Sequence, residues 1–155
     1  MANVTPQRIG SRIFVKNYDH DPGATTAILA SPDGGTTPVY LDMSLFAYGA
    51  ASYRPTIIGG AGVTLMRAFA SSDIAGATNA TLIRSSGAVA GDSLNDTVFV
   101  EWTADEIAAL DTSAVGLRYV TIELTHGTNT DEGNLTFVGV EPRFPRDALS
   151  ATAIT

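Results

Sequence analysis

The residues of this chain that could do chemistry are two histidines and several carboxylates. His20 and His126 are the only imidazoles, and both lie in turn-forming stretches far apart in the sequence. A zinc site needs at least three protein ligands, and no second histidine stands near either of them in the sequence. We therefore expect both histidines to be exposed turn residues.

Patterns for nucleophilic or phosphate chemistry are absent. The chain has no Gly-x-Ser-x-Gly sequence, which would mark the nucleophile turn of a hydrolase. The run Gly-Gly-Ala-Gly at residues 59–62 lacks the following lysine and helix of a phosphate-binding loop. It predicts a tight turn or bulge between strands, and we expect no enzymatic activity.

Carboxylates occur in pairs, and each pair has a possible ligand or catalytic role. Calcium binds loop oxygens of this kind, but none of the loops has EF-hand spacing, and solvated turns are the alternative. The loop pairs are Asp19 with Asp21, Asp92 with Asp96, and Asp131 with Glu132. Two further acids, Glu101 and Glu123, would form a glycosidase pair only if they faced one cleft. We expect no cofactor, and calcium in an acidic loop stays an open alternative.

Alternating apolar residues predict that most of the chain forms β-strands. Val98, Val100 and Trp102 share one face and should point into the core, whereas Arg67 on another strand should meet a carboxylate or lie near an edge. The stretch 43–53 is interpreted as a loop or a short helix. The predicted strands are 12–16, 25–30, 38–42, 56–58, 63–70, 81–84, 97–102, 118–125 and 135–140.

The clearest strand pair predicts a hairpin. Residues 118–125 and 135–140 are separated by a polar, glycine-containing turn, as in an antiparallel hairpin with one face on a core. A capping box of Thr103 and Glu106 predicts a short helix near 104–110. The resulting fold class is all-β, an antiparallel β-sandwich or jelly-roll-like barrel with that one helix.

Length, charge and composition restrict the class of protein further. The 155 residues suit one domain, which we divide into an N-terminal arm (1–12), a β-sandwich (13–141) and a C-terminal arm (142–155). The net charge of −7, with a single lysine, disfavours nucleic acid as a partner. Without cysteine there are no disulfides. The longest apolar runs fall short of the ~20 residues that cross a bilayer, and no secretory signal pattern is present.

The two arms hold the best candidates for partner binding. Arginine and phenylalanine are favoured at interfaces, and prolines in the C-terminal arm reduce the entropy lost on docking. A tail folded back on its own domain is the alternative. The candidate partner-binding residues are Arg8, Arg12, Arg143, Phe144 and Arg146.

About half of the chain resembles small virion structural proteins of tailed bacteriophages. The stretches that carry the resemblance are 62–70, 96–107, 117–122 and 128–133, which are strand patterns rather than reactive residues. The resemblance implies a non-enzymatic particle component, and within that group we favour a head decoration (cement) protein. It assigns no site residues.

The expected function is therefore stabilisation of a phage capsid. The protein would be made in the host cytoplasm, form a dimer or trimer, and bind the major capsid protein on the outer surface of the assembled shell, without nucleic acid or membrane. The alternatives are a neck, tail or baseplate component, and a carbohydrate-binding β-sandwich. A hydrolase is a more distant alternative.

Overall fold

The computed structural model describes residues 13–23, 27–34 and 36–142, over which the chain folds into β-strands and one short helix. In chain order the strands are β1 (Ile13–His20), β2 (Ala27–Leu29), β3 (Tyr40–Asp42), β4 (Phe46–Ile57), β5 (Val63–Ser71), β6 (Thr81–Ser85), β7 (Val98–Thr103), β8 (Tyr119–His126) and β9 (Glu132–Pro142). The helix α1 (Ala104–Leu110) lies between β7 and β8. The expected all-β class with one short helix is confirmed.

The strands form two antiparallel sheets. Sheet A has the order β1-β9-β4-β7, and sheet B has the order β2-β8-β5-β6, with β3 also paired to β8. Because β2 and β3 pair with different halves of β8, together they occupy one strand position. Counted in this way, consecutive strands change sheet at every connection except that between β5 and β6. Four positions in each sheet and this order are the arrangement of a jelly roll.

The core lies between the sheets and is built from alternate residues of their strands. In β7, Val98, Val100 and Trp102 are buried while Phe99 is exposed, which confirms the predicted core face of this strand. The indole ring of Trp102 meets the ring of Phe137 from β9 nearly edge-on, with 6.5 Å between centroids. Aromatic pairs of this geometry bury large apolar areas and fix the packing of one strand against another.

The predicted hairpin of residues 118–125 with residues 135–140 is wrong. β8 lies in sheet B and pairs with β2, β3 and β5, whereas β9 lies in sheet A and pairs with β1 and β4. The connection between them therefore crosses from one sheet to the other. Alternation shows which residues face the core, but it does not show which strand is the neighbour, and both kinds of connection give the same pattern.

The interpretation of residues 43–53 as a loop or short helix is also wrong, because most of them belong to β4. This strand is central in sheet A and pairs with β9 on one side and β7 on the other. Its middle is made of small residues, so the sequence shows no apolar alternation there. A side chain at Gly49 would place its Cβ 2.5 Å from Nε1 of Trp102 and 2.9 Å from Sδ of Met43. The glycine is thus what lets the indole lie flat against the strand.

The capping box at the start of α1 is confirmed. The Thr103 hydroxyl accepts a hydrogen bond from the Glu106 N–H at 3.1 Å, and the Glu106 carboxylate accepts one from the Thr103 N–H at 2.8 Å. Ile107 is buried and holds the helix against the sandwich. Reciprocal capping explains why a helix of only seven residues begins immediately after β7.

We expect Gly49→Ala to lower the free energy of unfolding by about 1–3 kcal/mol, because the added methyl group overpacks the site beside Trp102. Urea denaturation followed by fluorescence of that tryptophan measures the change. Ser52→Ala, on the outer face of the same strand, is the matched control and should stay within about 0.5 kcal/mol of the parent. Equal stability of the two variants would contradict the packing argument.

Candidate functional site

The histidines are buried and in contact, so their prediction as exposed turn residues is wrong. His20 is 2% exposed and His126 is 3% exposed. Their Nε2 atoms lie 2.9 Å apart, and the two rings are stacked with 5.0 Å between centroids. We call His20 and His126 the histidine pair.

The fold brings the histidine pair together from opposite sheets. His20 is the last residue of β1 in sheet A, and His126 is the last residue of β8 in sheet B. Tyr53 from β4 packs edge-on against both imidazoles, with 5.9 Å from its centroid to each. The three rings thus link the two sheets at one end of the sandwich.

Ser31 allows two arrangements of protons in the pair. Nδ1 of His20 lies 3.2 Å from both the carbonyl oxygen and the backbone nitrogen of Ser31, so it either donates to the oxygen or accepts from the N–H. If it donates, His126 donates its Nε2–H to His20; if it accepts, His20 donates its Nε2–H to His126. In both arrangements a single hydrogen lies between the two Nε2 atoms, 2.9 Å apart, and Nδ1 of His126 has no hydrogen-bond partner.

Burial keeps both imidazoles neutral. Desolvation, and then the charge of His126, lower the pKa of His20 from 6.5 to about 4, against the opposing effects of Ser31 and Asp21. Desolvation also lowers the pKa of His126, although Asp131 opposes it. The phenol of Tyr53 is neutral as well, because desolvation and two nearby carboxylates raise its pKa.

Asp131, which lies in one of the acidic loops considered for calcium, has a structural role beside the histidine pair. Its side chain is buried and accepts hydrogen bonds from the backbone N–H groups of Gly59 (2.8 Å), Gly60 (3.0 Å) and Thr128 (2.9 Å). Desolvation raises the pKa of this carboxyl, but the backbone donors outweigh it and hold the pKa below its usual value. The run 59–62 is a turn between β4 and β5, as predicted, and Asp131 fixes it.

The other carboxylate candidates do not converge on a ligand. Asp21 accepts a hydrogen bond from the Gly23 N–H, and Asp96 accepts one from the Ser93 N–H. Over the described ranges, no three His, Asp or Glu side chains are grouped in a way that could hold a metal ion. These loops are Asx-type turns, which was the alternative to calcium in the sequence analysis.

The glycosidase alternative fails on geometry. Glu101 lies on the outer face of sheet A, and Glu123 lies on the outer face of sheet B. Two acids on opposite outer surfaces of a sandwich cannot face one cleft. Glu123 is engaged instead by Arg67, whose Nε donates to it at 2.9 Å, which confirms the expected carboxylate partner of that arginine.

Part of the outer face of sheet A is apolar, although Glu101 on β7 lies beside Ala50 and polar residues flank the patch at Ser52 and Thr136. Register places Val15 beside Val138 and Ala50, and Ile13 beside Val140 and Tyr48. Phe99 on β7 extends this surface and is 65% exposed, compared with 52% for Val15 and 49% for Tyr48. We define the apolar face as Ile13, Val15, Tyr48, Ala50, Phe99, Val138 and Val140.

The outer face of sheet B is different, because it carries ion pairs and is partly covered. Arg67 pairs with Glu123, and Arg118 pairs with Asp42. The connection between β5 and β6 folds over this sheet, so that a Cβ at Gly76 would lie 2.8 Å from the side chain of the buried Thr121. Among the described residues, no salt bridge lies on the outer face of sheet A.

The predicted partner-binding residues are not part of either surface as described. Arg8, Arg12, Arg143, Phe144 and Arg146 all lie outside the described residues. Sequence reasoning missed both the histidine pair and the apolar face. The signal for His126 was available, since it continues the core alternation of Val120, Ile122 and Leu124 by one more step.

Comparisons with known proteins give little to set beside this geometry. No protein-family model matches the chain, and no curated protein matches it. A solved structure from Bacillus endospore appendages, described as a novel family of disulfide-linked pili, aligns with 90% of this chain and 98% of that chain. The identity is 15% and the TM-score is 0.39, a level of similarity that supports no argument about this chain. In the described part of the chain, no helix is long and apolar enough to cross a membrane.

We expect the free energy of unfolding to decrease as the pH is lowered, because the buried histidine pair resists protonation. Between pH 6.5 and about 4 an unfolded His20 is protonated while the folded one is not, so the folded state loses stability as the pH falls. The loss amounts to about 3 kcal/mol and ends near the folded pKa. Urea titrations at several pH values, compared with those of His20→Phe, isolate this effect from the carboxylates. An unchanged slope in the variant would contradict it.

Replacing Asp131 tests the contribution of the three hydrogen bonds that its side chain accepts from backbone N–H groups. Asp131→Ala removes a buried carboxylate that accepts from three backbone N–H groups at a part-buried site, and we expect a loss of about 1–3 kcal/mol of unfolding free energy. The matched control is Asp33→Ala, which removes a carboxylate that accepts from the Thr37 N–H at 2.8 Å in an exposed turn. Water replaces that bond, so the control should lose about 1 kcal/mol or less. Equal losses in the two variants would mean that the burial of Asp131 does not add to the strength of its hydrogen bonds.

Proposed function

We propose that this chain is a head decoration (cement) protein of a tailed bacteriophage. It is a non-enzymatic virion component that binds the major capsid protein on the outer surface of the assembled shell and stabilises that shell. The observation that carries this proposal is the apolar face on sheet A. The resemblance of the strand sequences to small phage structural proteins supplies the class of particle.

The apolar face is a cluster on a sheet surface that is otherwise polar. A solvated sheet face carries polar residues at alternate positions, and on sheet A these include Asn17, Ser52 and Glu101. The rows that pair Val15 with Val138 and Ile13 with Val140 hold apolar residues instead. A patch of a few hundred Å² is about as large as the largest apolar patch on a typical monomer, and such patches are often functional.

The size of the apolar face favours binding to several subunits of a capsid shell over a complex with one partner protein. Four strands about 4.8 Å apart, each contributing one or two apolar side chains, give a patch of roughly 300 Å². A stable two-body complex needs about 800 Å² on each partner. The apolar face alone is therefore too small for a stable dimer. On a shell, further contacts come from the arms that contain Arg8 and Arg143, and a dimer or trimer engages several capsid subunits together.

The charge of the chain is consistent with binding to the outer surface of a capsid shell. The chain has a net charge of −7, so it is repelled by the nucleic acid that a shell encloses. The apolar face itself carries none of the described ion pairs, but Glu101 lies beside it on β7, so a partner has to leave that carboxylate in water or provide a cation for it. Both properties suit a protein held on the outside of a particle.

A carbohydrate-binding module is the second candidate, and one observation favours it. Tyr48 and Phe99 are exposed aromatic residues on the same sheet face, and a shallow groove beside Tyr48 is lined by Glu101 and Thr103. Aromatic rings next to polar groups are what a sugar ring requires. A neck, tail or baseplate protein remains the alternative within virions, since it would use the same apolar face.

Shell binding tests the proposal directly. Purified protein is mixed with phage heads that lack it, pelleted through a cushion and imaged, and the heads are then heated. The proposal requires saturable knobs on the head surface and a higher temperature of head rupture. Binding confined to necks or tails would support the other virion role, and retention on a glycan array without head binding would support the carbohydrate role.

We expect Val15→Lys to weaken head binding at least tenfold, because it places an ammonium group on the apolar face beside Val138. Leu82→Lys is the matched control, since Leu82 is similarly exposed (46%) but lies on β6 of sheet B. It should bind heads like the parent. Circular dichroism and urea titration establish that both variants are folded, and equal binding by the two would remove the apolar face from the proposal.

A further inference from the structure

We propose that the histidine pair is an acid-sensitive contact between the two sheets, which keeps its hydrogen bond when it takes up one proton and loses it when it takes up a second. The contact controls the opening of one end of the sandwich. This inference concerns the isolated protein and does not depend on the role in a virion.

The geometry allows a single hydrogen between the rings. The two Nε2 atoms are 2.9 Å apart, which is the length of a hydrogen bond with one donor and one acceptor. Two N–H groups cannot point at each other across this gap. The contact therefore exists only while one of the two Nε2 atoms is unprotonated.

The first added proton does not require that the contact break. Each ring has an Nδ1 outside the contact, and in either arrangement one of these two atoms is unprotonated and can take the proton, while one hydrogen stays between the Nε2 atoms. The resulting charge is shared along a hydrogen bond between imidazolium and imidazole, which is stronger than the neutral bond. The negative charge of Asp131 favours this positive charge, because it acts to raise the pKa of His126.

The second proton has no such place. Both Nδ1 atoms carry a hydrogen after the first step, so the remaining site is the Nε2 that accepts the hydrogen bond between the rings. Protonation there removes the acceptor and places two positive charges in contact inside the core. At this distance like charges in a buried site repel strongly, and the rings must separate.

The surroundings contain acids but no described base that faces the pair. Asp21 follows His20 on the same segment, and Asp131 lies on the connection that follows His126. From β4 the neutral Tyr53 packs on both rings, and Glu132 at the start of β9 acts on that phenol. The carboxylates favour the first proton, but they do not supply an acceptor for a second Nε2–H.

Separation of the rings releases one end of the molecule. His20 pairs with Gly133, and His126 pairs with Val63, so the contact lies where β1 and β8 end and β5 and β9 begin. The opposite end is held by Trp102 and the capped helix α1, which contain no histidine. We therefore expect acid to open the histidine end while β7 stays protected near Trp102, since its first residue, Val98, pairs with Tyr53 at the histidine end.

Hydrogen exchange of the full chain between pH 7 and pH 3.5 tests this opening, with rates corrected for intrinsic exchange at each pH. Below the first protonation, protection at the ends of β1 and β8 should fall roughly tenfold for each pH unit, since opening takes up one proton. Protection in β7 near Trp102 should change much less. The double variant His20→Phe with His126→Phe should keep its protection at the ends of β1 and β8 over this range.

Ring nitrogen shifts of the parent protein give a second measurement that needs no variant. They should show two separate protonation steps, of which the first leaves the native spectrum in place. Uniform loss of protection in all strands, or equal loss in the double variant, would overturn the proposal. A single step near pH 6.5 for both rings, which is the behaviour of independent exposed histidines, would also overturn it.

Discussion

The interface between the inner faces of the two sheets is the constraint on which the rest of this structure depends. Almost every connection passes from one sheet to the other, so neither sheet is complete until both have formed. The backbone groups of each sheet are paired with neighbouring strands of the same sheet, so only side chains meet between the sheets. These side chains have to pack closely and exclude water. This is why Gly49 is needed where Trp102 crosses β4, since a single extra carbon would meet the indole ring.

The same constraint explains the chemistry of the polar groups inside. A charge between the sheets has to be compensated. In the described core, the carboxylate of Asp131 is compensated by hydrogen bonds from three backbone N–H groups and not by a cation. The histidine pair joins its two Nε2 atoms by one hydrogen bond and places Nδ1 of His20 against Ser31, which is possible while at least one ring is neutral. His20, His126 and Asp131 thus have structural roles: burial lowers the pKa of the imidazoles, and backbone N–H donors lower that of Asp131.

Periodicity predicted the parts of the fold that depend on local sequence. Val98, Val100 and Trp102 could be assigned to the core, and Thr103 with Glu106 to a helix start, because alternation and capping are read from neighbouring residues. Strand pairing depends on distant residues, so the partner of β8 could not be predicted in the same way. The strand at Gly49 was missed because its identity comes from two flanking strands rather than from its own small side chains.

The candidate sites were harder to predict, for two physical reasons. Residue type suggested that His126 was a turn residue, although its even spacing from Leu124 placed it on the core face. The apolar face could not be recognised from one strand, because Val15, Val138 and Ala50 come from three separate segments and form a surface only through register. β1 joins the two features, since it presents Val15 to the outside and His20 to the core. The two features lie toward opposite ends of β1, because Ile13 and Val15 pair with Val140 and Val138 whereas His20 pairs with Gly133. Opening of the histidine end therefore leaves the pairing that builds the apolar face in place, which separates the interior chemistry from the surface available for a partner.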